Sequence, residues 1–323
     1  MFNVFFLKML VVFIICYLNI ANASAQNYPN KTVRVIVPTA PGGGADMQAR
    51  LLAKVFQESM GQQFLIDNRP GASGIIGADY VAKSAADGYT LLVSTSYLAT
   101  NISLFTKMPF DALKDLIPIS QISYAPQFLI VHPSLPVKTL NEFIRLAKNN
   151  PNLLNAGSSG NGSANHLAVE MLQQAAGIKC THVPYKSGAP AITALVSGEV
   201  AFTFTGGVTA LPFIRMNKVR ALAVSSLTPS AAMPTVPTIH SVYPGFESSN
   251  WYGLFAPTGL NSNLINKLSN EVQKALKVKD VHANFMREGA EPVGSTSQIF
   301  TSYFRQEVER YARLIKSANV KID

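Results

Sequence analysis

Cysteine is almost missing from this chain. Only Cys16 and Cys180 occur among its 323 residues, and Cys16 lies in an apolar N-terminal run that reads as a removable leader. Cys180 then stands alone, which excludes an intramolecular disulfide and with it the small stapled scaffolds of secreted proteins. Histidine is scarce as well: His132, His166, His182, His240 and His282 are dispersed, and none falls at metal-ligand spacing. Charged residues make up only 14%. Lys and Arg are scattered singly with no basic run, so nucleic acid is not an expected partner. Beyond the N-terminal run there is no stretch of about 18 uninterrupted apolar residues, which predicts a soluble mature protein. No sequence signal calls for a cofactor.

The apolar run itself, Met1 to Tyr17, carries Lys8 as its only charge and ends in Ala21-Asn22-Ala23-Ser24-Ala25. An apolar core followed by small residues at an A-x-A-like site predicts a signal peptide over residues 1–25. A retained membrane anchor is the competing reading, and the run is only about as long as the shortest bilayer span. Acylation at Cys16 would need a small residue before it, where Ile15 stands. Export without a disulfide fits a sizeable bacterial periplasmic protein. The net charge of +9 has two readings, a solubilising surface and mild steering of an anionic ligand.

The mature chain alternates short β-branched runs with helical patterns. Val33 to Val37 reads as a strand and Ala45 to Met60 as a helix with Met47, Leu51, Val55 and Phe56 on one face. Phe64 to Ile66 is a second strand, Ile75 to Ser84 a helix, and Thr90 to Ser94 a third strand after the Asp87-Gly88 turn. The grammar restarts with strand Gln127 to Val131 and helix Leu140 to Lys148, the latter capped by Thr139 with Glu142 three residues on. Helix Ala164 to Ala176, strand Cys180 to Val183, helix Ala189 to Ser197 and strands Val200 to Thr205 and Val219 to Ser225 follow. After a proline-rich link come the strand Trp251 to Ala256 and two helices, Ser262 to Met286 and Ser297 to Ala318. Two βαβ series predict an α/β fold of two lobes, each a mostly parallel sheet flanked by helices. The expected division is 26–125 plus 246–323 for lobe 1 and 126–245 for lobe 2.

Two loops carry the chemistry. Pro38-Thr39-Ala40-Pro41-Gly42-Gly43-Gly44-Ala45-Asp46 sits where a strand ends and a helix begins, the edge of an open α/β sheet at which ligands bind. Its glycines expose backbone N–H groups, and the helix start favours an anion by roughly 0.3–2 kcal/mol. Asp46 has two readings, a partner for a ligand amine and a cap for its own helix. The spacing matches neither the dinucleotide fingerprint nor a P-loop. Gly157-Ser158-Ser159-Gly160-Asn161-Gly162-Ser163-Ala164-Asn165-His166 repeats the arrangement. It fails as an esterase elbow because Asn161 stands where the second glycine belongs. His166 and Glu170, one helical turn apart, read either as half of a metal site or as a local contact. No nucleophile with a nearby base is evident along the chain.

Val37-Pro38 with Ala40-Pro41-Gly42-Gly43 and Asp46, Asn68 with Gly71 to Gly77, Asp87 to Leu92, and Gly160 to Ser163 with His166-Leu167 together resemble the Bug-type receptors. His182 to Lys186, Arg220 to Val224, Pro234 to Thr238 and Trp251-Tyr252-Gly253 extend the resemblance over nearly the whole mature chain. These are the substrate-binding proteins of the tripartite tricarboxylate transporter system. The resemblance implies a periplasmic-binding-protein-like fold of type II and a monomer that closes on a small carboxylate-bearing solute. It implies a first-lobe site of Pro38, Thr39, Ala40, Gly42, Gly43 and Asp46 with Ser94 and Thr95. It implies a second-lobe site of Ser158, Asn161, Gly162, Ser163 and His166 with Tyr185 and Thr205. The implied partners are membrane transporter subunits or, on the same scaffold, a membrane sensor kinase. Two positions depart from the family's habit: Thr39 replaces an aromatic residue and Ala201 an acidic one. An exported enzyme using Ser158 or Ser159 with His166 is the reading of a different class.

Overall fold

The structure, a computed structural model, describes residues 28–287 and 289–317. The expected signal peptide over 1–25 lies outside the described residues. Strand β1 (Val33–Val37) leads into helix α1 (Gly44–Met60), then β2 (Phe64–Asn68), α2 (Ile75–Ala82), β3 (Thr90–Thr95) and α3 (Tyr97–Leu104). The long strand β4 (Leu116–Val131) follows, then α4 (Leu140–Asn149), β5 (Asn155–Ser158), α5 (Ala164–Ala176), β6 (Thr181–Pro184), α6 (Gly188–Val196), β7 (Phe202–Gly206), α7 (Gly207–Arg215) and β8 (Arg220–Val224). Strand β9 (Ser249–Pro257) returns the chain to α8 (Ser262–Lys277), α9 (Lys279–Arg287), the short β10 (Glu291–Pro292) and α10 (Ser297–Ser317).

The strands run in the order β2-β1-β3-β9-β4-β7-β5-β6, with β8 and β10 also paired to β4. Two parallel triplets, β2-β1-β3 and β7-β5-β6, are the cores of the two lobes. Antiparallel β9 and β4 join them, so the whole is a mixed sheet. Strand β4 is long because it serves both lobes. Its residues from Leu116 to Pro126 pair with β9, and those from Gln127 to Val131 pair with β7 and β8. Pro126, with no N–H to donate, marks the change of partner.

The inner strands β1, β3, β5 and β7 are mostly buried, as near-continuous apolar strands require, whereas the edge strands β2 and β6 are partly exposed. Val33, Val35 and Val37 enter one cluster with Leu268, Val272 and Phe285, while Ile36 enters another with Trp251, Phe300, Phe304 and Tyr311. In the second lobe Leu129 and Val131 pack with Phe202 and Phe204, and Phe128 and Ile130 with Leu195 and Leu211. Trp251 meets the edges of Phe300 and Phe304 at centroid distances of 5.7 and 5.8 Å, which holds α10 on the first lobe's sheet.

Two expectations need correction. Helix α1 turns Ala45, Ala49, Leu52 and Phe56 inward, not a stripe centred on Met47, which is 37% exposed. Small residues lie against the sheet there and let the helix approach it closely. The single helix expected from Ser262 to Met286 is two, because Val278 is extended with φ −61° and ψ 123°. Helices α3 and α7 and the first half of β4 carry no clear sequence signal and were not expected.

Candidate functional site

Helix α1 begins at Gly44 because the preceding glycines let the backbone turn sharply off β1. Gly42 has φ +80°, and its N–H donates to Asp46 Oδ2 at 2.9 Å. Asp46 is buried and accepts from three protein residues. Arg50 reaches both carboxylate oxygens, at 3.0 and 2.9 Å, and Asn68 Nδ2 donates to Oδ1 at 3.0 Å. Burial alone would raise the Asp46 pKa, but the hydrogen bonds from Arg50, Gly42 and Asn68 outweigh it and hold the carboxyl below its ordinary range. Asp46 therefore ties the loop to the helix through Gly42, one residue before the N-cap Gly43, and no side chain caps the first turn itself. The same Asn68 amide donates to the Thr39 carbonyl at 3.1 Å, so the loop is clamped from behind while Ala40 and Gly43 are exposed. Pro38 is buried beneath it. The Thr39 hydroxyl is buried without a hydrogen-bond partner.

Strand β9 completes this half. Tyr252 lies opposite Thr95 in the β3–β9 ladder and opposite Ser123 in the β4–β9 ladder. A Cβ on Gly44 would run into the Tyr252 hydroxyl, so only glycine admits that hydroxyl at the start of α1. Burial pushes the Tyr252 pKa up to about 12, which keeps the phenol protonated as a donor. Asn250 Nδ2 donates to it at 3.1 Å, and Asn250 Oδ1 accepts from the Ser96 hydroxyl at 2.8 Å. Ser94 and Thr95 are buried at the strand end beside this group.

In the second lobe, Ser163 caps α5 by accepting from His166 N at 3.2 Å and donates to the Gly160 carbonyl at 2.6 Å. Gly162 N–H donates to His166 Nδ1 at 3.1 Å. His166 stacks on His182 with ring centroids 3.7 Å apart and planes 8° from parallel. The His182 pKa falls to about 4, from burial first and then from the His166 neighbour. His182 Nε2 lies 2.5 Å from Ser158 Oγ. Ser158 thus has a base beside it, contrary to expectation, because β5 and β6 align residues that are far apart in sequence. Ser158 is fully buried and also bonds Gly160, so the pair holds the loop together. Ser159 Oγ donates to Asn165 at 2.7 Å. His166 and Glu170 are 3.6 Å apart, and the described residues contain no group of three or more side chains able to hold a metal.

The two halves meet. Tyr97, the first residue of α3 and two residues past Thr95, donates from its hydroxyl to the Ser159 carbonyl at 3.1 Å and lies 3.3 Å from the Ser159 hydroxyl. Leu167 of α5 is buried among the first lobe's aromatic residues. On another contact, a Cβ on Gly289 would come within 3.0 Å of Gly207 Cα, at the start of α7. Thr205, buried at the end of β7, leads into that start, which is a third strand-to-helix turn built on the same plan. Tyr185 lies apart. Its ring packs near Gly157 and its hydroxyl donates to Glu199 at 2.8 Å. An open hollow of about 530 Å³ is lined by Pro184, Tyr185, Lys186 and Pro190, and by none of the other expected ligand residues.

Sequence reasoning missed Tyr97, Asn250, Tyr252 and the Gly206-Gly207 turn as parts of this region. The Trp251-Tyr252-Gly253 motif was visible, but nothing local aims the Tyr252 hydroxyl at Gly44.

Residues 48–320 match the family described as tripartite tricarboxylate transporter family receptor. Protein BugT of Bordetella pertussis is 37% identical over 305 residues, covering 94% of each chain. Among solved structures, an R. palustris protein with adipate superposes with a TM-score of 0.87 at 33% identity, covering 91% of this chain and 99% of that one. MatC from Rhodopseudomonas palustris with bound malate gives 0.82 at 31% identity, covering 89% and 100%. The periplasmic binding protein BugD gives 0.84 at 30% identity, covering 91% and 99%. These relatives are solute-binding proteins, which removes the exported-enzyme reading. The chain belongs to the tripartite tricarboxylate transporter receptor family, and it is a solute-binding protein, not an enzyme.

Proposed function

We propose that this protein is an extracytoplasmic receptor that captures a small carboxylate-containing metabolite and hands it to a tripartite membrane transporter. The lobes of the clamp are 26–125 with 246–323, and 126–245, and a cleaved N-terminal signal takes the protein to the periplasm. The ligand's acid group is held by backbone N–H groups of the two glycine-rich turns, by the Ser94–Ser96 strand end and by Thr39 and Asn161. Asp46 and Arg50 act behind the loop as its fixings.

The observation that carries this reading is the Tyr97–Ser159 hydrogen bond, which sets the end of β3 against the second glycine-rich loop. Helix starts on opposite sides of one cleft suit an anion between them, since each carries about half a positive charge. Relatives solved with adipate and malate, both carboxylates, agree with that chemistry.

Mass spectrometry of the denatured, freshly purified protein identifies any ligand carried from the host. Calorimetry then compares that acid with its methyl ester. Loss of a charge-assisted anchor should cost about 1.5–3 kcal/mol. Equal affinity for acid and ester rejects the carboxylate site.

A further inference from the structure

The sequence contains one Asn-Gly pair, Asn161–Gly162, and it lies in the second-lobe loop. A glycine after asparagine lets its own backbone nitrogen swing toward the side-chain amide, because no Cβ obstructs it. Three features of this fold favour that attack. Gly162 N–H donates to His166 Nδ1 at 3.1 Å, so an imidazole lone pair faces the proton that must leave. Glu170 Oε1, 3.6 Å from His166 Nε2, favours the ring proton on that other nitrogen. Gly162 also directly precedes Ser163, the N-cap of α5, where the positive end of a 13-residue helix stabilises charge developing on nitrogen. The Asn161 side chain is half-buried and makes no hydrogen bond among the described residues that would hold its amide back.

We propose that Asn161–Gly162 is a self-modification site, at which His166 Nδ1 takes the Gly162 amide proton and the freed nitrogen closes on Asn161 Cγ to form a succinimide. The N–Cγ bond forms and the Cγ–Nδ2 bond breaks. The proton held by His166 returns to the leaving nitrogen, which departs as ammonia. Water then opens either carbonyl of the ring, giving aspartate or isoaspartate without any change of oxidation state. Each product puts a negative charge beside the start of α5, where an anionic ligand would otherwise be favoured. Isoaspartate also lengthens the backbone between Gly160 at φ +121° and Gly162 at φ +72°. The loop therefore loses its attraction for an anion as the protein ages. That consequence rests on the carboxylate site proposed above, whereas the chemistry at Asn161 does not.

The mature protein is aged at neutral pH in native buffer and in parallel in guanidinium at the same pH. Peptide mass spectrometry then scores the amide-to-acid change at Asn161. The native rate should exceed the denatured rate by about tenfold, a modest share of what a positioned general base supplies. A native rate equal to or below the denatured one overturns the proposal, since the hydrogen bond would then shield the nitrogen. His166→Gln keeps an acceptor for Gly162 N–H but no base, so its native rate should drop at least to the denatured level. If that variant reacts as fast as wild type, His166 is not the base and the proposal fails. The wild-type pH profile gives a readout that needs no variant. Imidazole assistance makes the rate level off once the imidazole is fully neutral, and a rate that climbs steadily with hydroxide rejects it. Adipate binding to fresh and aged protein reads the consequence: affinity should fall with the modified fraction, and full retention refutes the loss of function. If fresh protein binds no carboxylate, the reading of the site fails, while the mass-spectrometric result at Asn161 stands or falls separately.

Discussion

The Tyr97 hydroxyl donates to the Ser159 carbonyl, 3.1 Å away, and so ties α3 to the second glycine-rich loop. Burial raises the Tyr97 pKa, and the neighbouring hydroxyls of Ser159 and Ser163 only partly offset this, so the phenol stays protonated and able to donate. In the proposed two-lobe clamp this bond forms only when the lobes close. Its contribution should therefore appear in the closed, ligand-bound state and not in the fold of either lobe.

Tyr97→Phe keeps the ring and removes the donor. We expect ligand to dissociate about two- to tenfold faster, matching the 0.5–1.5 kcal/mol of one hydrogen bond, with little change in association or in unfolding midpoint. Stopped-flow release of the bound ligand measures it. A release rate equal to wild type would show that Tyr97 does not restrain closure.

Glu307 anchors the return from the second lobe. It accepts from Trp251 Nε1 at 3.1 Å and takes a two-pronged contact from Arg310 at 2.7 and 2.9 Å. Arg310 also donates to the Glu247 carbonyl at 3.3 Å, just before β9. Glu307→Ala should destabilise the protein by about 2–4 kcal/mol, toward the lower part of the range for broken buried pairs because the Arg310 side chain is still 32% exposed. Denaturant unfolding measures the loss, and a cost below about 0.5 kcal/mol would place the pair among ordinary surface contacts.

His182 makes stability depend on pH. Its folded pKa is depressed from 6.5 to about 4, so between those values the unfolded chain binds a proton that the folded chain refuses. Stability is therefore full above pH 6.5 and falls as the pH drops toward 4. The whole shift corresponds to about 3 kcal/mol, and the half-buried ring is screened by solvent, so about 1–2 kcal/mol is expected. His166 stacks on this ring, and Glu170 lies 3.6 Å from His166. Unfolding measured across this window should slope less steeply in His182→Asn than in wild type. Identical slopes would assign the acid sensitivity elsewhere.

Elements that carry their own signals were legible in the sequence. Helix α5 runs over the expected residues because Ser163 caps its start and Gly177, at φ +63°, ends it. Thr139 caps α4 by accepting from Glu142 N, as the spacing foretold. The first half of β4 was hidden because Pro118, Ser120, Gln121, Ser123 and Pro126 break any apolar alternation, and its partner β9 comes more than a hundred residues later. Helix α7 was hidden by Pro212 inside it. The two glycine-rich loops stood out locally, but what they touch did not. Tyr97 on Ser159, His182 on Ser158 and Tyr252 on Gly44 are all made by strand order, which local pattern does not encode.

Thr39 offers the sharpest test of the site. Its hydroxyl is buried with no hydrogen-bond partner, at the mouth of the first glycine-rich turn. A buried hydroxyl left unpaired costs about 1–3 kcal/mol, a penalty that a ligand oxygen would relieve. Thr39→Val removes the hydroxyl at nearly constant volume. The unliganded protein should then be unchanged or up to about 1 kcal/mol more stable, while ligand affinity falls by about 1 kcal/mol. Thr39→Phe asks a different question of the same position. If threonine leaves room that the ligand uses, an aromatic ring fills it, and binding should weaken by about 1–3 kcal/mol through overpacking while the fold persists. Calorimetry on both variants, each checked for folding by its thermal transition, separates the effects. A Thr39→Val protein that binds as wild type and is more stable would mean that the hydroxyl serves no ligand. A Thr39→Phe protein within about twofold of wild-type affinity would put the side chain outside the cleft.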